Sequence, residues 1–252
     1  MFGEVAELYD RARPSYPAAL VDDLIALVGA APHTLDIGCG TGKASLLLAD
    51  RGATGVGVEP HAAMAEIARR NLAGYPGWRI DIAAFEGWAP AAGDAPFDLV
   101  TCAQAWHWLD RDVRLHKSHA LLRPGGWVAL FWNTHPDDQP ATELKRAIDE
   151  AYTRHAPGLG GLPRRFVVRD SDETRIPDEL AFDAPIDRVY AWTQVYSGAE
   201  WLELLRTHSN HRMLPPDQLE RLLGAVGEAI NAHGGRYPFR YVTHLWAARR
   251  SL

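Results

Sequence analysis

The sequence predicts an α/β fold built on a doubly wound, mostly parallel sheet. Three observations lead there. Residues 35–43, LDIGCGTGK, pass from an apolar strand through glycines at 38, 40 and 42 into the helix-like ASLLLAD. A glycine-rich turn at the carboxyl end of a strand is where doubly wound sheets take nucleotide-like ligands. Short apolar runs then alternate with stretches of helical spacing as far as residue 133, the pattern of successive βαβ units. The chain closes with DRVYAWTQVYS and FRYVTHLWAARR, two strand-like stretches that predict an antiparallel edge.

The elements follow in order. In the opening FGEVAELYDRARPSYP, Tyr9, Arg11, Arg13 and Tyr16 cluster while Pro14 and Pro17 break regularity. This segment is either a cap whose tyrosines cover core or a lid over a ligand pocket, and the lid is the expectation over 1–17. AALVDDLIALVGA has helical spacing and stops near Gly29. After the first strand and its turn, a helix is expected over 43–51. ATGVGVEP is the second strand and ends on Glu59, nineteen residues after Gly40. An acid at that place accepts hydrogen bonds from ribose hydroxyls. Pro60 opens a helix over 61–72 with Met64 in its first turn, as core filler or against a ligand. WRIDIAA is the third strand and leads into Phe85-Glu86-Gly87-Trp88. PFDLVTCAQAWHWLD contains the fourth, whose end delivers Gln104, Ala105, Trp106, His107 and Trp108 to the edge that holds Gly38. A helix at 110–121, an RPGG turn and the fifth strand, WVALFWN, complete the regular part. Residues 134–185 read as an insertion containing one amphipathic helix, TELKRAIDEAYTRH, with His155, Arg164 and Arg165 as candidate acceptor contacts. GAEWLELL and PDQLERLLGAVGEAINA are helical; His208 and His211 fall in polar sequence between them, with no third ligand at metal-binding spacing.

Spacing narrows the ligand. A P-loop needs glycine, four residues and then Gly-Lys-Ser/Thr. Here Ile37 stands where its first glycine belongs, and Ala44 follows Lys43. The dinucleotide fingerprint G-x-G-x-x-G also fails, because its last position is Lys43 or Ser45. What remains is acid-x-Gly-x-Gly-x-Gly, beginning at Asp36.

That pattern resembles motif I of the class I S-adenosylmethionine-dependent methyltransferases. The opening Y-D-x-x-R-P-x-Y-P and the A-x-x-W-H-W around His107 resemble one subgroup, the trans-aconitate methyltransferase-like proteins. The resemblance implies a Rossmann-like seven-stranded sheet of order 3-2-1-4-5-7-6 with the last strand antiparallel. It implies S-adenosylmethionine as cofactor, held by Tyr9, Asp36, Gly38, Cys39, Gly40, Thr41, Glu59, Pro60, Met64, Phe85, Glu86, Gln104 and Ala105. Asp36 would lie near the methionine amino end and Met64 near the adenine, with Glu86 either facing the adenine or a solvated loop acid. His107, Arg13 and Tyr16 are the candidate catalytic residues. His107 is a general base or a structural donor; Arg13 would grip a carboxylate acceptor. The insertion after strand five is expected to face the acceptor, a small molecule with a carboxylate or hydroxyl.

Composition bounds the rest. The 252 residues are 47% hydrophobic and 23% charged, enough for one α/β domain over 1–252. A net charge of −6 argues against nucleic-acid and anionic-membrane partners. No apolar run is long enough to span a bilayer, and the acidic N-terminal stretch is unlike a secretory signal. Cys39 and Cys102 read as buried thiols in a reducing compartment, so a cytoplasmic monomer or homodimer is expected. Two alternatives stay open: a protein that binds this cofactor without transferring methyl, and a nicotinamide-dependent oxidoreductase.

Overall fold

The computed structural model describes residues 6–92, 94, 96–136, 140–159 and 174–252. Arg164 and Arg165 lie outside them, as does the start of the N-terminal segment. The seven strands are β1 (His33–Ile37), β2 (Thr54–Glu59), β3 (Trp78–Ile82), β4 (Phe97–Ala103), β5 (Leu122–Thr134), β6 (Ile186–Ser197) and β7 (Arg236–Arg249). They form one sheet of order β3-β2-β1-β4-β5-β7-β6. β1 to β5 are parallel, and β7 is antiparallel to both its neighbours. This is the sheet order that the resemblance implies.

β1, β2 and β4 are buried along almost their whole length because both their faces are covered. On one face, helices α2 (Ala18–Val28), α3 (Lys43–Ala49) and α4 (Ala62–Asn71) pack Leu20, Leu48 and Ala68 against Leu99 and Phe131. On the other, α5 (Arg111–Leu121) sets Leu115 beside Phe97, Val100 and Trp106. A third core caps the β7 end. There α6 (Glu143–His155), α7 (Gly198–Arg206) and α9 (Pro216–Ala232) close over Tyr237, Phe239 and Tyr241. These three aromatics alternate with exposed residues along β7, since only one face of that stretch is covered. The helix of the insertion is therefore part of a packed layer. A short α1 (Ala6–Ala12) precedes α2, and the four-residue α8 (Ser209–Arg212) follows α7.

Two strands are longer than expected. β5 starts at Leu122 and runs through Pro124-Gly125-Gly126, which the sequence had suggested as a turn. Gly125 takes φ +77, the pairing with β4 shifts register between Phe97 and Leu99, and Gly125 N–H is satisfied by the Arg250 carbonyl. A bulge of this kind absorbs the glycine without ending the ladder. β7 starts at Arg236 and includes Pro238. Its ladder with β5 begins only at Val242, so the missing proline N–H leaves no partner unsatisfied on that side.

The strand order reverses between β1 and β4. The crevice outside the carboxyl ends of those two strands is the ligand position in sheets of this kind.

Candidate active site

The turn after β1 lines this crevice. Gly38, Gly40 and Gly42 all take positive φ (63°, 59° and 82°), a conformation costly for residues with a Cβ. A Cβ at Gly38 would also lie 2.6 Å from that of Ala105. The turn is held down from beneath. Gly38 and Cys39 N–H groups both donate to the Val58 carbonyl (2.8 and 3.2 Å). Asp36 is fully buried and accepts from Ser45 Oγ (2.5 Å) and Thr101 Oγ1 (2.9 Å). Burial outweighs these bonds and pushes its carboxyl up to about 6. Asp36 thus fastens the turn from inside the sheet and does not line the cavity above it.

Glu59, at the end of β2, works from the side. Its Oε2 accepts from Gly40 N–H (3.0 Å) and its Oε1 from the backbone N–H of His61 (2.9 Å), with His61 Nδ1 also at 2.9 Å from Oε1. Oε2 therefore keeps a lone pair for a hydroxyl donor. Met64 is buried with Ala6 and Ile67 under the turn. Phe85 belongs to the core, with the Lys117 ammonium 5.0 Å from its ring centre. Glu86 Oε1 accepts from the Asp110 N–H at the start of α5 (2.9 Å), and Pro60 is exposed at the β2–α4 junction.

Opposite the glycine turn, β4 ends in Gln104, which adopts φ +60. A non-glycine residue there marks backbone held by its surroundings; its N–H donates to the Phe131 carbonyl (3.0 Å) and its Nε2 to the Asn133 carbonyl (3.2 Å). The next residues form a 3-10 turn, Trp106–Trp108. The expected aromatic wall is only partly there. Trp106 turns into the core, where Arg114 lies over its ring, while His107 and Trp108 line the crevice. Adjacent side chains in such a turn diverge, so all three cannot face one way.

The N-terminal segment crosses above. Arg11 pairs with Glu203 of α7 and Arg70 of α4 with Glu7, exposed pairs that hold weakly. Asn133 Nδ2 donates to the Ser15 carbonyl (2.8 Å). Tyr9, Arg13 and Tyr16 reach the crevice from this segment. Tyr16 stands edge-on to Phe131 at 4.8 Å, and the Arg13 guanidinium lies 5.2 Å from the Tyr9 ring centre.

Together these elements enclose a cavity of about 380 Å³. Of the sequence-predicted site residues, the structure brings Tyr9, Arg13, Tyr16, Gly38, Cys39, Gly40, Thr41, Gln104 and His107 into its lining. Asp36, Glu59, Pro60, Met64, Phe85, Glu86 and Ala105 stand outside it, although Asp36, Glu59 and Ala105 touch or support the turn. The far end is made by residues that sequence reasoning did not single out for binding: His135 after β5, Trp201 and Leu204 of α7, His208 before α8, and Phe239 and Tyr241 of β7. The period-two aromatics of β7 were the one available signal. Among the described residues of 134–185, only Thr134 and His135 reach the cavity.

A glycine cradle at the switch point, with an acid at the end of the neighbouring strand, defines a class of enzyme that binds a nucleoside cofactor. Comparison with known proteins specifies it. Residues 34–126 match a family model described as a methyltransferase domain. The chain is 30% identical over 245 residues to trans-aconitate 2-methyltransferase of Paracidovorax citrulli, covering 92% of this chain and 87% of that one. It is 38% identical over 138 residues to an uncharacterized methyltransferase of Mycobacterium tuberculosis, a match that spans 54% of this chain and about half (53%) of the relative's length. The structure of a proposed type II methyltransferase from Anaeromyxobacter dehalogenans superposes with a TM-score of 0.62 at 26% identity, covering 95% of this chain and 98% of the other. The chain belongs to the class I S-adenosylmethionine-dependent methyltransferases.

The glycine end fits that family's cofactor. Backbone is bare at Gly38 and Gly40 in the cavity lining, Glu59 Oε2 keeps a lone pair beside Gly40, and Thr41 Oγ1 is buried with no partner.

Proposed function

We propose that the chain transfers a methyl group from S-adenosylmethionine to the carboxylate of a small molecule. One observation carries the choice of acceptor. Arg13, Lys43 and three histidines line the cavity, and no aspartate or glutamate is among its described lining residues. Such a lining favours an anion and opposes an amine cation.

Gly38–Gly42 and Glu59 would hold the cofactor, which supplies a methyl carbon bonded to a cationic sulfur. A carboxylate acceptor would take that methyl carbon as the carbon–sulfur bond gave way, with the electron pair left on sulfur. The ester forms with no proton to move, so no base is required. What the protein contributes is alignment and exclusion of water, which otherwise solvates the anion. Arg13 is suited to alignment: its Nη2 is fixed on the Thr207 carbonyl (3.0 Å) while Nε has no partner. The described part of the N-terminal segment, residues 6–17, acts as a lid in this reading, and His107 orients the mouth.

Both cysteines are free and buried, and burial pushes both thiols up. This supports a reducing compartment, and we propose the cytoplasm, with the 252 residues working as one domain in a monomer or homodimer. Among the described residues no helix is long and apolar enough to cross a membrane.

The test is a screen of acids, phenols and amines with methyl-labelled S-adenosylmethionine. Label incorporated into acids and released as methanol by mild alkali is expected, because only esters hydrolyse so readily. Alkali-stable label on phenols or amines refutes carboxyl methylation. Tight cofactor binding with no acceptor turned over favours a binding protein.

A further inference from the structure

Asn133, the last residue but one of β5, ties together parts of the chain that are far apart in sequence. It lines the cavity and stands opposite Thr243 in the ladder with β7. Its Oδ1 accepts from Thr243 Oγ1 (2.6 Å), and its Nδ2 donates to the Ser15 carbonyl of the N-terminal segment (2.8 Å). Its main-chain carbonyl accepts from Gln104 Nε2 at the end of β4 (3.2 Å). Trp192, on β6, donates its indole Nε1–H to Thr243 Oγ1 (2.9 Å). What each group can do fixes the direction of this chain. An indole N–H only donates, so the Thr243 oxygen accepts there and has its single hydrogen left for Asn133. A carbonyl only accepts, so Ser15 requires the amide nitrogen. The Asn133 amide therefore has one orientation, and turning it over would set its oxygen against the Ser15 carbonyl oxygen. Thr243, which gives the direction, is fully buried.

We infer that Asn133 is a positioning residue of the transfer reaction: it is the latch that holds residues 13–16 over the cofactor, and Thr243 and Trp192 set the direction of its amide. This rests on the lid reading above and adds what keeps the lid down. Residues 13–17 are irregular, with prolines at 14 and 17, so their polar backbone needs partners from elsewhere. Other ties of the segment are of a different kind. The Arg11–Glu203 and Glu7–Arg70 pairs are exposed at the surface and hold weakly. The Ser15 bond instead falls between Arg13 and Tyr16, two residues that line the cavity. Tyr16 packs on Phe131, which lies two residues before Asn133 and so on the same face of β5. One side chain thus fixes the piece of lid directly above the cavity. Its main-chain carbonyl, through Gln104, also fixes the wall opposite the glycine turn. Alignment and exclusion of water are the protein's share of the chemistry, and both depend on that piece staying down.

The experiment compares the full chain with its Asn133→Asp, Thr243→Val and Thr243→Ser variants. Hydrogen exchange across residues 9–20 is read by mass spectrometry with S-adenosylhomocysteine bound, and release of that ligand is followed by stopped-flow displacement. Asn133→Asp keeps the acceptor for Thr243 and sets an oxygen against the Ser15 carbonyl. It should speed both exchange and release by about tenfold, the scale of one hydrogen bond lost. Thr243→Val keeps the shape and removes the hydrogen that orients the amide. It should speed both by a smaller factor, because the amide still samples the right orientation. Thr243→Ser keeps the hydroxyl and should keep the wild-type rates. Exchange in α9, which lies outside this chain of bonds, should not change in any variant. Unchanged exchange over 9–20 in Asn133→Asp overturns the latch, and so does a rise that α9 shares equally, which marks general loosening. Faster exchange with unchanged ligand release overturns the positioning role and leaves Asn133 a structural tie. Thr243→Val behaving as wild type overturns the orientation by Thr243; should that variant not fold, Asn133→Asp decides alone. Failure of S-adenosylhomocysteine to bind the wild type overturns the cofactor reading instead, and exchange over 9–20 without ligand then decides the latch.

Discussion

Replacing Asp36 by asparagine tests the physics beneath the cofactor turn. The Asp36 side chain is wholly buried and is held by Ser45 and Thr101. Its carboxyl is raised from an ordinary 3.8 to about 6, first by burial and then against the two hydroxyl bonds. A carboxyl raised on folding binds its proton more tightly in the native state. Its contribution to stability is therefore full below about pH 3.8 and lost as pH rises through about 6. Between pH 4 and pH 7 the loss is about 2–3 kcal/mol, at about 1.4 kcal/mol for each pH unit of separation. The wild-type profile alone conceals this. His211, lowered to about 4 chiefly by burial, works in the opposite direction over the same window, losing stability as pH falls. Asp36→Asn keeps an acceptor for Thr101 and cannot ionise. Urea unfolding of both proteins at pH 4, 5.5 and 7 should show the variant gaining on the wild type by about 2–3 kcal/mol across the range. Cofactor binding supplies a second reading. Affinity for the sulfonium cation should rise with pH through about 6 in the wild type and stay flat in the variant. Parallel stability curves would show that Asp36 carries no ionisation penalty, and the burial argument would fail.

Other expectations are simpler to test. Glu59→Ala removes the acceptor for Gly40 N–H and the offered ribose contact; calorimetry should show S-adenosylmethionine affinity falling by about 1.5–3 kcal/mol, and unchanged affinity removes Glu59 from the site. Gly38→Ala meets both a φ of +63° and a 2.6 Å approach to Ala105. It should cost about 1–3 kcal/mol in denaturant unfolding, with Ala105→Gly restoring only part, whereas Gly74→Ala meets nothing within 4 Å and should be neutral. Tyr152→Phe strands His211 Nε2 in the third core, lowering stability by about 1–3 kcal/mol. His107→Ala should leave the pH profile of turnover in place if the residue only orients the mouth; loss of that profile with the fold intact makes it the base.

Much of the cofactor end was legible because its signals are local. A strand, three glycines that must take positive φ, a helix, and an acid at the end of the next strand are read from 35–60 alone. The sheet order came with the resemblance that those residues carry, and the structure agrees. Finer points were not legible. Nothing in WHW says that Trp106 turns inward, because that follows from Arg114, eight residues on, donating to its carbonyl (2.7 Å). Nothing in Asp36 says that both its oxygens are taken by Ser45 and Thr101, which the neighbouring strand and helix bring to it.

What the sequence determined by itself was the cofactor turn, the parallel sheet around it and the antiparallel edge, since each depends on periodicity and backbone preference within a short window. What only the tertiary structure decided was the end of the cavity away from the glycine turn. Arg13, Trp201, His208, Phe239 and Tyr241 come from an N-terminal turn, a helix, the residue before a short helix and an edge-pair strand. No local pattern joins them. They meet because α6, α7 and α9 bury their apolar faces on β7.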